Sequence, residues 1–348
     1  MKTVFVYAGR RLRILSDIEA GKAPDTGLLG QNHLAALGIE SAVHEPRLPL
    51  PDRSGALHRA AWNLREVGLP WEVGDADAVC TPLVNVFPLA ARLRRRLDVL
   101  LFNMSLCTTL ERSRGLRRAL LATSVRSAAA VVCFAEAQRE RLVAQTGIAP
   151  ERVHTVLLGV DERFYTPAAP PENGYVLAVG RDMGRDYATF LRAVEGLGPP
   201  AVLVASARNL AGLDVPAGVE VRLDVSYEEL RSLYAGAACV VIPTRREEYR
   251  YGADCSGQTV LVDAMAMGRP IVLTERATLR EYVDEGRSAL TVPPEDPAAL
   301  RAALERLLGD RAFAESLGRN AREDVERRHT TRLFAEQLAA ILHSLGRA

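Results

Sequence analysis

Two short segments of this chain combine residue types and spacings suited to holding an anion. In Gly180-Arg181-Asp182-Met183-Gly184-Arg185-Asp186, two arginines stand four positions apart directly after the apolar run YVLAVG. A planar guanidinium donates forked hydrogen bonds to phosphate oxygens and keeps its charge, so the pair suits a diphosphate clamp. The competing reading is an exposed basic turn in which Arg185 pairs with Asp182 or Asp186. The second segment, Cys255-Ser256-Gly257-Gln258-Thr259, opens the helical pattern VLVDAMAMG. First-turn N–H groups lack intrahelical partners and the helix dipole favours negative charge there. Ser256, Thr259 and Asp263 are spaced three and four apart, which places them on one face with Asp263 leaning back toward the start. A phosphate at that start and a carboxylate one turn further in suit a diphosphate and ribose hydroxyls together. The competing reading makes Ser256 an N-cap and Asp263 a surface residue.

Such loops need strands to carry them, because ligands of open parallel sheets bind beyond the carboxyl ends of the strands. Short runs rich in Val, Ile and Leu alternate with longer amphipathic stretches along the whole chain, which predicts an α/β fold with parallel sheets. In the first half the strand candidates are Thr3 to Ala8, Ser41 to His44, Ala78 to Cys80, Val99 to Asn103, Ala130 to Phe134 and His154 to Leu158. In the second they are Tyr175 to Gly180, Ala201 to Ala207, Val219 to Leu223, the run ending at Thr244, and Pro270 to Thr274. Helices are expected near Tyr187 to Glu195, Tyr227 to Ala235, Ser256 to Met267, Ala298 to Leu308 and Thr331 to Leu345. VDERFYTPAAPPENG, Val160 to Gly174, interrupts the alternation with three prolines. The expected division is an N-terminal Rossmann-like domain over 1–163, a linker over 164–174, a second Rossmann-like domain over 175–330, and a final helix over 331–348 that packs back on the first.

The length of 348 residues supports two domains, and 48% hydrophobic with 25% charged residues excludes a disordered or multispan membrane chain. A net charge of +1 gives no reason to expect a nucleic-acid partner. Five cysteines without a CxxC signal neither a disulfide framework nor a zinc site, and a reducing cytoplasm fits them. The first residues lack a secretory core and no apolar run is long enough to span a bilayer, so the expected location is cytoplasmic. Asp75-Ala76-Asp77 has the Asp-x-Asp form of a metal site but precedes a strand instead of following one, so no metal is assigned. Nine arginines and two acids lie between Arg92 and Arg126. That basic region offers peripheral contact with an anionic membrane face; solvated arginine-rich helices are the equal alternative.

The segments LLGVDERFYTP, YVLAVGRDMGRDYATFLRAVEGL, SYEELRSLYAGAACVVIPT, SGQTVLVDAMAMGRPIVLT and EYVDEGRSALTVPPEDPAALRAALERLL together resemble the second domain of the retaining GT-B glycosyltransferases of the large family 4, the glycosyl transferases group 1. The resemblance covers about residues 156 to 345. It implies two facing Rossmann-like domains, a nucleoside-diphosphate-sugar donor held mainly by the second and an acceptor held mainly by the first, with no cofactor. Arg181 matches the family arginine, and Arg185 stands where the family usually has lysine. Asp263 takes the second acidic position of the family's paired-glutamate motif, the one for ribose. The first position, eight residues earlier, is Cys255, so Glu247, Glu248 or Asp254 become candidates for the sugar contact. The Ser256, Gly257, Gln258 and Thr259 amides match the phosphate-binding helix start. In the first domain the Gly27 to Gly30 loop opens a helix carrying His33. Where the family often places a histidine, this chain has Asn103-Met104-Ser105, so Gly30, His33, Asn103 and Ser105 are the candidates there.

The expectation is a metal-independent, retaining transfer of a sugar, of hexose type, to an acceptor hydroxyl on a small molecule, a glycan or a lipid-linked glycan. A nucleotide-sugar epimerase on the same fold and a noncatalytic GT-B subunit are the rivals. A dehydrogenase is disfavoured, because Ala8-Gly9-Arg10-Arg11 is a poor substitute for a Gly-x-Gly-x-x-Gly turn. Oligomeric state is not readable from the sequence.

Overall fold

The computed structural model describes residues 1–7, 11–45, 56–94, 97–169 and 171–346. Ala8, Gly9 and Arg10, named above, and Arg95 and Arg96 of the basic region between Arg92 and Arg126 lie outside the described residues. The chain divides into two compact units, one of residues 1–19, 28–157 and 332–348, the other of 20–27 and 158–331.

The first unit contains β1 (Lys2–Val6), β2 (Glu40–His44), β3 (Ala78–Thr81), β4 (Asp98–Phe102), β5 (Ala130–Cys133) and β6 (Val153–Thr155). They form one sheet in the order β2-β1-β3-β4-β5-β6, every pairing parallel. The second unit contains β7 (Tyr175–Val179), β8 (Ala201–Val204), β9 (Val219–Arg222), β10 (Ala237–Ile242), β11 (Ile271–Thr274) and β12 (Leu290–Val292). Its parallel sheet runs β9-β8-β7-β10-β11-β12. Numbered within the unit, this is the 3-2-1-4-5-6 order of a dinucleotide fold, whose strand order reverses between β7 and β10. The inner strands read as unbroken apolar runs because helices cover both faces, and AVVC, AVLV and IVLT are buried throughout.

The helix Gln258–Ala266 is buried along nearly its whole length. It packs on the helix Arg311–Arg328, where a Cβ on Gly318 would collide with the Gly268 carbonyl. That contact holds the helix, and the loop before it, in a fixed position. Expectation and structure differ at several elements. The helix expected from Ser256 starts at Gln258, because Gly257 adopts φ 98° as its cap and breaks the turn. The helix expected after the Gly27 to Gly30 loop is a 3-10 stretch, Gln31–Leu37, and another 3-10 turn, Asp25–Leu28, runs into the loop itself. Neither β12 nor the helix Arg311–Arg328 is among the expected elements: the strand has three residues, and the helix is mostly polar outside its buried Ala314, Leu317, Ala321 and Val325. The stretch read as a linker is packed into the second unit. Phe164 and Tyr165 are buried there, with Tyr165 edge-on to Tyr234 at 5.9 Å. Asp161 caps the turn before them by accepting from the Arg163 and Phe164 amides.

Candidate functional site

The strand-order reversal of the second unit places two loops side by side, one after β7 and one after β10. Gly180, with φ 149°, takes the chain sharply away from β7. This brings the Arg185 side chain back over its Cα, where a Cβ would collide with Nε. Arg185 is 6% exposed, and its Nε and Nη1 have no hydrogen-bond partner among the described residues. Its backbone bridges Thr244, just past β10. Asp186, the expected ion partner, instead caps the following helix through the Thr189 amide and hydroxyl. Arg181 behaves differently, being half-exposed and paired at 2.8 Å with Asp224, beyond β9. The two arginines of the motif thus face different surroundings.

Asp182 ties the two loops together. Its Oδ1 accepts from the Gly184 amide at 2.8 Å and from the Ala253 amide at 3.5 Å. A Cβ on Gly184 would stand 2.9 Å from Ser256 Oγ, so the absence of a side chain there permits the approach. Ser256 Oγ is buried without a partner among the described residues. The Ser256 and Gln258 amides donate to the Ala253 and Cys255 carbonyls, so two of the four expected phosphate donors are engaged by the loop itself. Gln258 Nε2 donates to the Thr278 carbonyl at 3.0 Å, pinning the loop after β11. The Gln258 side chain is therefore a clamp between loops. Thr259 is exposed on the first turn.

Asp263 is buried, and that burial holds its carboxyl well above the usual carboxylate range, opposed by the Tyr165 hydroxyl beside it. Its Oδ1 and the Tyr234 hydroxyl have no partner among the described residues. Burial pushes the Cys255 thiol up to about 12, with Asp254 and Asp182 adding to the effect, so it is neutral near pH 7. Of the acids considered as substitutes for a glutamate at that position, Glu247 accepts from the Ala277 amide, Asp254 is buried and Glu248 is exposed.

Of the candidates in the first unit, Asn103 and Gly30 are held in tight packing contacts. Asn103 is fully buried; its Oδ1 accepts from the Leu106 amide at 2.9 Å and its Nδ2 points to the Cys107 and Cys133 sulfurs, so its side chain is committed to the fold and not to a sugar. Ser105 caps the helix Leu106–Arg112 by position, without a side-chain cap bond. Gly30 packs on the helix Thr331–Leu345, where a Cβ would stand 2.9 Å from Ala335 Cβ. His33 is half-buried on a 3-10 turn, with Nε2 3.4 Å from Asn32 Nδ2. Asp75 pairs with Lys2 at 2.6 Å and Asp77 accepts the Lys2 amide, at the amino ends of β1 and β3.

Sequence reasoning missed Arg276. It is 5% exposed in the loop after β11, its Nη1 donating to the Arg245 carbonyl at 3.2 Å and its Nε without a partner among the described residues. The signal was present, because it stands two residues beyond the run PIVLT. Thr244 Oγ1 and Thr278 Oγ1 are likewise buried and unpartnered in the same group of loops.

The architecture is that of the GT-B proteins. The fold matches sucrose-phosphate synthase from Thermosynechococcus elongatus with TM-score 0.77, 18% identity and all of both chains covered. It also matches Anabaena Alr3699/HepE in complex with UDP-glucose, with TM-score 0.72, 16% identity, and 99% of this chain and 100% of that one covered. Residues 185–310 match the family model described as Glycosyl transferases group 1. A D-inositol 3-phosphate glycosyltransferase of Catenulispora acidiphila is 29% identical, covering 52% of this chain and 49% of that protein. An alpha-D-kanosaminyltransferase of Streptomyces kanamyceticus is 24% identical, covering 64% and 62%. The matched region thus spans about half to three fifths of these relatives. Among the described residues no helix is long and apolar enough to cross a membrane.

Proposed function

We propose that this protein transfers a sugar, of hexose type, from a nucleoside-diphosphate sugar to an acceptor hydroxyl, with retention of configuration and without a divalent ion. The observation that carries this reading is the concentration of buried, unpartnered polar atoms where the strand order reverses: Arg185 Nε and Nη1, Thr244 Oγ1, Ser256 Oγ and Asp263 Oδ1. Native proteins leave few such atoms, because each costs roughly 1 to 3 kcal/mol, and a polar ligand is the ordinary reason for a cluster. Arg185 would meet the diphosphate, with the half-exposed Arg181 swinging from Asp224 to join it. The Gly257 and Thr259 amides would meet a phosphate oxygen, and Asp263 the ribose. This fixed positive potential stabilises the leaving diphosphate as the glycosidic bond breaks. The UDP and UDP-glucose held by the HepE structures support a nucleotide donor. Attack from the face that the diphosphate leaves requires no enzyme nucleophile.

The acceptor belongs to a small molecule, a glycan or a lipid-linked glycan. A lipid-linked acceptor gains support from Leu93 and Leu116, 79% and 86% exposed on the helices Phe87–Arg94 and Gly115–Ser127, among Arg92, Arg94, Arg112, Arg114 and Arg117. Proton NMR of the new linkage, formed by chelator-treated enzyme, tests the reaction. Retention with activity intact is expected. An inverted product or an absolute requirement for a divalent ion refutes the mechanism, and free epimerised nucleotide sugar would identify an epimerase.

A further inference from the structure

Arginine is almost never fully buried without a carboxylate or an equivalent set of acceptors. Arg269 illustrates the usual solution, donating to the Met267, Ala237 and Ala168 carbonyls. Arg185 and Arg276 lack it: both are buried, neither forms an ion pair among the described residues, and Arg276 has one described hydrogen bond, to the Arg245 carbonyl. A diphosphate accounts for Arg185. Arg276 instead follows β11, two strands away from β7 across β10, though near enough for the two positive charges to oppose each other. At ~4.8 Å between neighbouring strands, the two strand ends are roughly 10 Å apart along the sheet edge, so the two loops can meet different parts of one nucleotide sugar.

The loop that carries Arg276 is held by its neighbours. The Ala277 amide is bound by Glu247, the Thr278 carbonyl by Gln258, and the Thr244 amide by Thr274 Oγ1 at 3.0 Å. Of the acids whose charge reaches Arg276, Glu247 and Asp182 are engaged with backbone amides, and the buried Asp254 acts more weakly. In the same group of loops, Thr244 Oγ1 and Thr278 Oγ1 are buried hydroxyls without a partner among the described residues. A guanidinium has donors and no acceptor, so its strongest complement is an anionic oxygen pair and not a neutral hydroxyl.

Building on the nucleotide-sugar reading, we propose that Arg276 forms a second anion subsite, distinct from the diphosphate site at Arg185, which takes a carboxylate on the donor sugar. The preferred donor class is then a nucleoside diphosphate hexuronate. Thr244 and Thr278 hydroxyls share the carboxylate or its neighbouring ring hydroxyls.

Calorimetry with UDP, UDP-glucose and UDP-glucuronate, and with GDP, GDP-mannose and GDP-mannuronate in parallel, tests this on the full chain. In one base series the wild type should bind the uronate about tenfold or more tighter than the neutral sugar, a factor readily supplied by one charge-assisted pair. Arg276→Leu should remove that preference and leave nucleoside-diphosphate affinity unchanged, and Arg276→Lys should restore part of it. Binding of a diphosphate without preference for the uronate overturns the subsite and spares the nucleotide-sugar reading; this outcome needs no variant. A loss of diphosphate affinity in Arg276→Leu equal to its loss of uronate affinity, in a variant with unchanged melting, also overturns it by assigning Arg276 to the diphosphate. Failure of every nucleotide to bind the wild type refutes both readings.

Discussion

The guanidinium of Arg185 lies directly over the Cα of Gly180, in the space a side chain would fill. The glycine therefore does two things: its positive φ turns the chain out of β7, and its lack of a Cβ seats the arginine. Gly180→Ala should weaken nucleoside-diphosphate binding almost as much as Arg185→Ala, by about 1.5 to 3 kcal/mol, the range for hydrogen bonds to charged groups. Calorimetry on folded variants decides. Full affinity in Gly180→Ala would mean that the seat does not matter.

Arg181 should contribute less. It is half-exposed and already paired with the exposed Asp224, and surface ion pairs contribute little net energy. Arg181→Ala should lower affinity by a smaller factor than Arg185→Ala, and Asp224→Asn should raise it slightly at low salt by releasing the arginine. A larger loss at Arg181 than at Arg185 would reverse the assignment of the main clamp.

Asp263 couples stability to ligand binding. Burial raises its folded pKa above the ordinary 3.8, so its favourable protonated state is fully present at low pH. That contribution is lost as pH rises through the raised folded value, because the unfolded chain ionises first. Asp263→Asn should therefore melt at a higher temperature than the parent at pH 8, with the gap closing near pH 3.8. Asp263→Ala should erase discrimination between ribose and 2′-deoxyribose diphosphates. Melting curves across pH and a pair of binding titrations check the two halves separately.

His329 should give the second unit an acid-sensitive edge. Burial, with help from Arg328 and against Asp324, lowers its pKa from 6.5 to about 4, and it stacks on Tyr282 at 5.2 Å. Because the folded value lies below the unfolded one, its contribution is intact above pH 6.5 and is lost as pH falls toward about 4. The loss approaches about 1.4 kcal/mol per pH unit. His329→Phe keeps a stacking ring and should flatten the stability curve in that window; an unchanged slope in urea titrations would exclude His329 as its origin.

The exposed leucines of the first unit give a test of lipid contact. If the acceptor is lipid-linked, Leu93→Asp with Leu116→Asp should reduce sedimentation with phosphatidylglycerol vesicles at low salt, and added salt should weaken the parent's binding. Equal sedimentation of both proteins would assign those helices to solvent.

The parallel sheets were legible because burial on both faces makes each strand a continuous apolar run, a signal that survives in a single sequence. Arg185 was legible because it follows such a run. Arg276 follows one too, and only the partners of its guanidinium, which are set by the fold, distinguish it from a surface residue. The start of the helix Gln258–Ala266 was misplaced because the backbone conformation of one glycine decides it. Asn103 shows the opposite limit: its position past a strand suggested a ligand, yet the cysteines and the helix start around it take its amide.

The helix Thr331–Leu345 closes the first unit, and its Phe334 ring lies 6.5 Å from Phe102 and 6.3 Å from Phe134. During synthesis, the sheet β1 to β6 must therefore wait for residues made nearly 200 positions later before this aromatic surface is covered. The second unit has almost all of its chain earlier, by residue 331. The order of completion on the ribosome is thus the reverse of the order in the sequence, and the N-terminal sheet is the part exposed longest to chaperones and to misassociation.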